Sequence, residues 1–159
     1  MSDKYKVEIS NRAMRGMQIE LSSWPSVETG GVLLGYRTPD SLIILEAVDG
    51  GYANAIREQG QFAFDHQYVN HVSSYLANLY NPALVLLGFW HKHNHSDNPP
   101  FSAEDTETHK TLYKELKATS CSILFQKKAK DNNSYIMRVF LFETESDYYE
   151  IPQTDVIFR

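Results

Sequence analysis

Residues 83–105 read ALVLLGFWHKHNHSDNPPFSAED, and the organisation of the chain follows from how that stretch divides. Ala83 to Trp90 is an almost unbroken apolar run, the pattern of a central strand covered on both faces. It runs directly into His91-Lys92-His93. Side chains two apart in a strand face the same side, so His91 and His93 can present their imidazoles to one point. The segment from Asn94 to Phe101 reads as a loop. Ser102 then opens a helix in which Asp105, His109, Leu112 and Leu116 share one face. Asp105 therefore points inward, toward the sheet.

Working outward, Lys6 to Ser10 alternates like a short strand, and Asn11 is placed to cap a helix carrying Met14, Met17 and Leu21 on one face. Trp24-Pro25 ends that helix. Gly31 to Tyr36 and Leu42 to Val48 form hairpin strands around Thr38-Pro39-Asp40, and a polar loop follows from Asp49 to Gln61. Asp65 caps a second helix with Tyr68, Val72, Tyr75, Leu76 and Leu79 at helical spacing until Asn81-Pro82 stops it. Beyond the third helix, Ser122 to Gln126 and Tyr135 to Phe142 read as strands joined by a turn at residues 130–133, with Tyr148 to Ile151 as an edge strand. The expected fold is α/β: a mixed, curved sheet of about six or seven strands with three main helices around it. No repeat or linker divides residues 1–159, which read as one domain.

Two histidines and a carboxylate are chemically suggestive together. Three protein ligands with a fourth position left for water describe a catalytic zinc site, whereas structural zinc sites are closed by four. Each part has a plainer reading. A His-x-His pair is often only a pair of exposed loop residues, and Ser102-x-x-Asp105 fits a capping box that satisfies free helix N–H groups. The second reading is compatible with metal binding, since Ser102 can cap while Asp105 ligates. His93-Asn94-His95 is itself a His-x-His pair, so two registers are open.

Composition narrows the classes of function. A formal charge of -5 and a pI near 5.6 argue against a surface built for nucleic-acid phosphates or anionic lipid. The first residues lack an apolar signal region, and Ala83 to Trp90 is far shorter than the ~20 residues of a membrane helix, so a cytoplasmic location is expected. Cys121 is the one cysteine in the chain. There is no intrachain disulfide, any metal must be held by histidines and carboxylates, and Cys121 itself reads as a core thiol.

The His91-x-His93, loop, Ser102-x-x-Asp105 pattern resembles the JAMM (MPN-plus) metalloprotease family, including its compact prokaryotic members. Upstream, Glu28-Thr29-Gly30-Gly31-Val32-Leu33-Leu34-Gly35 is similar to the family's glutamate and glycine-rich strand. Phe62, Phe64 and Asp65 fall where the family opens its second helix. The resemblance implies one zinc ion on His91, His93 and Asp105, with Glu28 as general base and Ser102 as hydrogen-bond donor to the developing oxyanion. It also implies the substrate: an amide or isopeptide bond after the C-terminal glycine tail of a ubiquitin-like or sulfur-carrier protein. Such a tail would extend into a narrow groove walled by the loops from Gly50 to Gln61 and from Asn94 to Phe101. Phe101 and Trp90 read as packing residues.

Two features depart from the family pattern. Asn94 replaces its usual proline, and eight residues rather than seven separate His93 from Ser102. The His93/His95 register resembles RadC-type relatives, whereas Gly88-Phe89-Trp90 favours His91 and His93, leaving His95 to face substrate or support the ligands. Two other functions stand beside the leading one. A noncatalytic MPN module would serve as a scaffold, a state reached by losing ligands that are intact here, and a zinc peptidase could act on small peptides without a ubiquitin-like partner.

Overall fold

The apolar run and its histidines form one strand, β6 (Val85–His93), inside an eight-stranded sheet. The computed structural model describes residues 5–94, 100–128, 134–145 and 147–159. In chain order the other elements are β1 (Lys6–Ile9), α1 (Asn11–Ser23), β2 (Thr29–Arg37), β3 (Ser41–Asp49), β4 (Ile56–Arg57), β5 (Phe62–Ala63) and α2 (His66–Asn78). After β6 come α3 (Ala103–Leu116), β7 (Ser120–Lys127), β8 (Tyr135–Phe142), β9 (Tyr148–Glu150) and β10 (Val156–Phe158). The sheet order is β10-β1-β3-β2-β6-β7-β8-β9. It is mixed: β6 is antiparallel to β2 and parallel to β7, and β1 is parallel to both β3 and β10.

Each face is closed by helices. Ala13 and Met17 of α1 join Ile9, Leu33, Ile44, Leu87 and Ile123 in the larger core cluster. On the other face, Val69 of α2 packs with Val32, Leu34, Val48 and Leu84, and α3 lies over Phe101, Leu124, Phe140 and Phe142 through His109. Cys121 is fully buried, and burial pushes its thiol up to about 12, as suits a core thiol. Among the described residues, no helix is long and apolar enough to cross a membrane.

β6 is irregular in one place. Leu33 of β2 pairs with Gly88 while Leu34 pairs with Leu86, so Leu87 is an extra residue that shifts the register. A β-bulge reverses which side of the sheet the following residues face. Before it, Leu84 and Leu86 face α2; after it, Phe89 takes that side while Leu87 and Trp90 join the α1 side. The bulge falls at a residue that has to be glycine. A Cβ on Gly88 would lie 1.8 Å from the Cys121 carbonyl oxygen on β7.

Several expectations are corrected. Ser10, not Asn11, caps α1, its hydroxyl accepting from the Ala13 N–H at 3.0 Å and donating to the Leu45 carbonyl at 2.8 Å. Among the described residues the sheet has eight strands rather than six or seven, and the segment read as a polar loop contains β4, which pairs with β5 just beyond the loop's end. β10 was not anticipated; Pro152 and the 3-10 turn Gln153–Asp155 precede it, and only Val156 of its three residues is buried. On α2, Tyr75 and Leu79 are exposed, because the face against the sheet is that of Tyr68, Val69, Val72 and Leu76. That helix ends at Asn78, before Asn81-Pro82. The turn expected at residues 130–133 lies outside the described residues.

Candidate metal centre

Because of the bulge, His91 and His93 emerge on the face that carries α2 and α3. Their Nε2 atoms are 2.8 Å apart. Two imidazole nitrogens that close must share either a proton or a cation between their lone pairs. Asp105 Oδ2, from the first turn of α3, lies 3.7 Å from His91 Nε2 and 3.6 Å from His93 Nε2. A triangle with those sides has a point ~2.0 Å from every corner, the distance at which zinc binds imidazole and carboxylate. Among the described residues, this is the group of His, Cys, Asp or Glu side chains whose ligand atoms converge closely enough to hold a metal ion. The donor set fits zinc in number, type and spacing. His91, His93 and Asp105 retain side-chain exposures of 12%, 6% and 25%, so the cluster is sheltered yet reachable from solvent.

Asp105 serves the helix as well as the cluster. Its Oδ2 accepts from the Ser102 N–H at 2.8 Å, and the Ser102 hydroxyl accepts from the Asp105 N–H at 3.1 Å, completing a reciprocal capping box. Burial works against ionisation of the Asp105 carboxyl. Hydrogen bonding to His91 and His93, the charge on His91 and the Ser102 N–H outweigh it and hold the group well below the usual carboxylate range. Ser102 Oγ, engaged as an acceptor, keeps its own proton to donate.

Glu28 arrives from the segment between α1 and β2, with Oε1 3.8 Å from His93 Nε2. Burial pushes its carboxyl up to about 7, with His93 opposing the rise and Asp105 adding to it. That segment is held from several directions. The Glu28 N–H donates to the Glu58 carbonyl at 2.7 Å, and Asn94 Nδ2 donates to the Ser26 carbonyl at 3.2 Å. Lys92, fully buried between the two histidines in sequence, donates to the Trp24 carbonyl. Arg57 stacks 4.3 Å from the centre of the Trp24 ring and bonds Thr29 Oγ1 and Glu20 Oε1, both at 2.9 Å. Asn94 stood out in the sequence only as a departure from the family pattern, and Glu58, Lys92 and Arg57 were not singled out. The signal for Lys92 was available, since a residue between two ligands of one strand must face the opposite side.

Glycine is required beside the cluster. Gly30 stands opposite His91 on β2, and a Cβ there would come within 2.3 Å of the Trp90 carbonyl oxygen and 2.8 Å of His91 Cβ. Beyond the histidines opens a pocket of about 440 Å³ lined by Glu28, His91, His93, Ser102 and Asp105. The structure thus brings all five sequence-derived residues to one cavity. Gly60, Gln61 and Phe101 from the two expected wall segments also line it; residues 95–99, including His95, lie outside the described residues. Phe101 and Trp90 are buried packing residues, the Trp90 Nε1–H donating to the Val48 carbonyl at 3.1 Å, and both also border the cavity.

His109 lies behind the cluster, stacked on Phe142 with ring centres 3.9 Å apart. Burial, with a further contribution from His91 and against an opposing one from Asp105, pulls its imidazole down to about 3. The unfolded chain takes up this proton near the ordinary pKa of about 6.5, and the folded protein resists it until about pH 3. The stabilising contribution is therefore complete above pH 6.5 and is lost as the pH falls from there toward 3. On the order of 3–5 kcal/mol is expected to disappear over that window at about 1.4 kcal/mol per pKa unit. Denaturant unfolding of the metal-free protein should show a steeper acid loss in wild type than in His109→Phe, which keeps an aromatic ring against Phe142. Parallel pH profiles would refute the assignment.

No protein-family model matches the chain, and no curated protein matches it. Among solved structures, it is similar to the solution structure of a Desulfitobacterium hafniense protein determined as a structural-genomics target. The match covers 96% of this chain and 92% of that one, with a TM-score of 0.65 and 16% identity. At that identity the likeness concerns the fold alone.

Proposed function

We propose that this protein is a zinc-dependent hydrolase of the JAMM type, cleaving the amide or isopeptide bond after the C-terminal tail of a ubiquitin-like protein. The observation that supports the chemistry is the convergence of two imidazoles and a carboxylate beside a second, buried carboxyl in one pocket. The substrate rests on the resemblance of Glu28, His91, His93, Ser102 and Asp105 to the family pattern. His91, His93 and Asp105 would hold the zinc, which when bound would supply Lewis acidity toward a carbonyl and toward water near neutral pH.

The remaining work falls to the chain. Glu28 has the sheltered position and the raised proton affinity of a general base, able to accept the proton of the attacking water and return it to the leaving amine. Ser102 donates its hydroxyl proton to the carbonyl oxygen as negative charge develops there. The capping box keeps that hydroxyl and the Asp105 carboxylate at the same helix terminus. Hydrogen bonds from Lys92 and Asn94 to the α1–β2 segment keep Glu28 against His93.

The direct test uses the zinc-loaded protein and a cognate ubiquitin-like protein fused or conjugated through its C-terminal glycine. Release of the intact ubiquitin-like protein, cut after that glycine and stopped by a chelator, is expected. Equal cleavage of short unstructured peptides would overturn recognition of the ubiquitin-like body, and no hydrolysis of either would overturn the enzyme reading.

A further inference from the structure

The cavity beside the metal cluster is built for more than backbone. Its floor is Phe89, two residues before His91 on the same face of β6, and it remains only partly buried although β6 is an interior strand. Such a residue is usually covered. Here the segment leading into α2, and α3 itself, flank it instead: the Phe64 ring lies 6.2 Å from that of Phe89 and the His109 ring 5.5 Å. Phe62 of the β4–β5 hairpin and Phe101 extend these walls. A volume of about 440 Å³ that the rings of Phe62, Phe64, Phe89 and Phe101 line beside the polar groups of the metal cluster has room and apolar surface for a large side chain next to the reacting centre. Glycine would leave these walls without a partner.

We infer that the pocket receives an aromatic or large aliphatic side chain from the residue immediately following the scissile bond. This rests on the proposed hydrolysis after a terminal glycine: with glycine on the acyl side, the side chain that can fill the cavity comes from the amine side. The preferred substrate is then a linear extension beginning with a bulky apolar residue, rather than a lysine-linked conjugate. Aromatic rings are suited to this because they bury a large apolar area and make edge-to-face contacts with Phe64, Phe89 and Phe101.

Two measurements test the inference separately from the enzyme reading. In the first, N-acetylphenylalaninamide is titrated into the metal-free protein and the backbone amide resonances are followed. Saturable shifts at Phe64, Phe89, Thr108 and His109 are expected, with none from N-acetylglycinamide at equal concentration. Thr108→Trp, at an exposed α3 position on the cavity wall, should abolish them while leaving the melting temperature unchanged. In the second, the zinc-loaded protein is given matched linear fusions that differ only in having Phe or Gly after the terminal glycine. At least a tenfold higher kcat/KM for Phe is expected. Equal rates, or no shifts from the aromatic probe, would overturn the inference and leave the hydrolase reading standing. Binding of the probe with no hydrolysis of either fusion would support the pocket and count against the hydrolase.

Discussion

His91→Ala is expected to eliminate stoichiometric zinc, whereas His95→Ala keeps one zinc per chain. His91 supplies one of three converging ligand atoms, and its removal leaves His93 and Asp105, 3.6 Å apart, without the third corner. Zinc content by elemental analysis after dialysis is the primary readout. Thermal melting provides a second, because a ligand at 100 times its Kd stabilises the folded state by about 2.7 kcal/mol. In a domain of this size that corresponds to a rise of roughly 5–10 °C. Wild type and His95→Ala should show the rise on adding zinc, and His91→Ala should not. The reverse pattern would move the centre to the His93/His95 register that resembles RadC-type relatives. His93 belongs to both registers, so its substitution does not discriminate.

Glu28→Gln should keep zinc and lose at least ~100-fold in kcat/KM, the lower range assigned to general acid–base catalysis. Glutamine preserves size and hydrogen bonding but cannot take up the proton. Glu28 Oε1 lies near His93 rather than within the three-atom cluster, so the variant should melt with the same zinc dependence as wild type. Near-normal turnover would remove Glu28 from the mechanism, and loss of zinc would make it a ligand instead. Ser102→Ala serves as a comparison, expected to be milder in turnover. Its cap contributes about 1 kcal/mol, so its stability has to be measured before its rate is compared.

Most of the layout was legible because local signals coincided with the final packing. Asp65 and Ser102 announced helix starts that the structure uses, and the apolar run before His91 announced an interior strand. The failures have physical causes. Ser10 and Asn11 are both good caps, and what distinguishes them is the Leu45 carbonyl on β3, a contact distant in sequence. β4 and β5 have two residues each, too short for any periodicity. Tyr75 and Leu79 fit a helical stripe but exceed the arc that the sheet covers. At the centre, ligand types and spacing could be read from three short segments. The side that Lys92 faces could also be read, from its place between two ligands, but the partners of Lys92, Asn94 and Arg57 could not, because they are backbone carbonyls and a tryptophan ring that only the fold brings near.

The extra residue at Leu87 has a consequence for how such a chain can change over generations. Loss of the Leu87 codon would leave Leu34 opposite Leu86 and Leu33 opposite Gly88, so the strand would alternate without a break and the histidines would keep their side of the sheet. The chain has no such tolerance two residues later. Loss of one codon between Gly88 and His91 would turn over every side chain from His91 to His93, sinking the histidines beneath α1 and standing Lys92 in the cleft opposite Asp105. A lineage could abandon the metal in that one event without substituting any ligand, and alignments that allow a gap there would still display an intact His-x-His and Ser-x-x-Asp. Counting residues between Gly88 and His91 is therefore the more discriminating check on whether a related chain retains the centre.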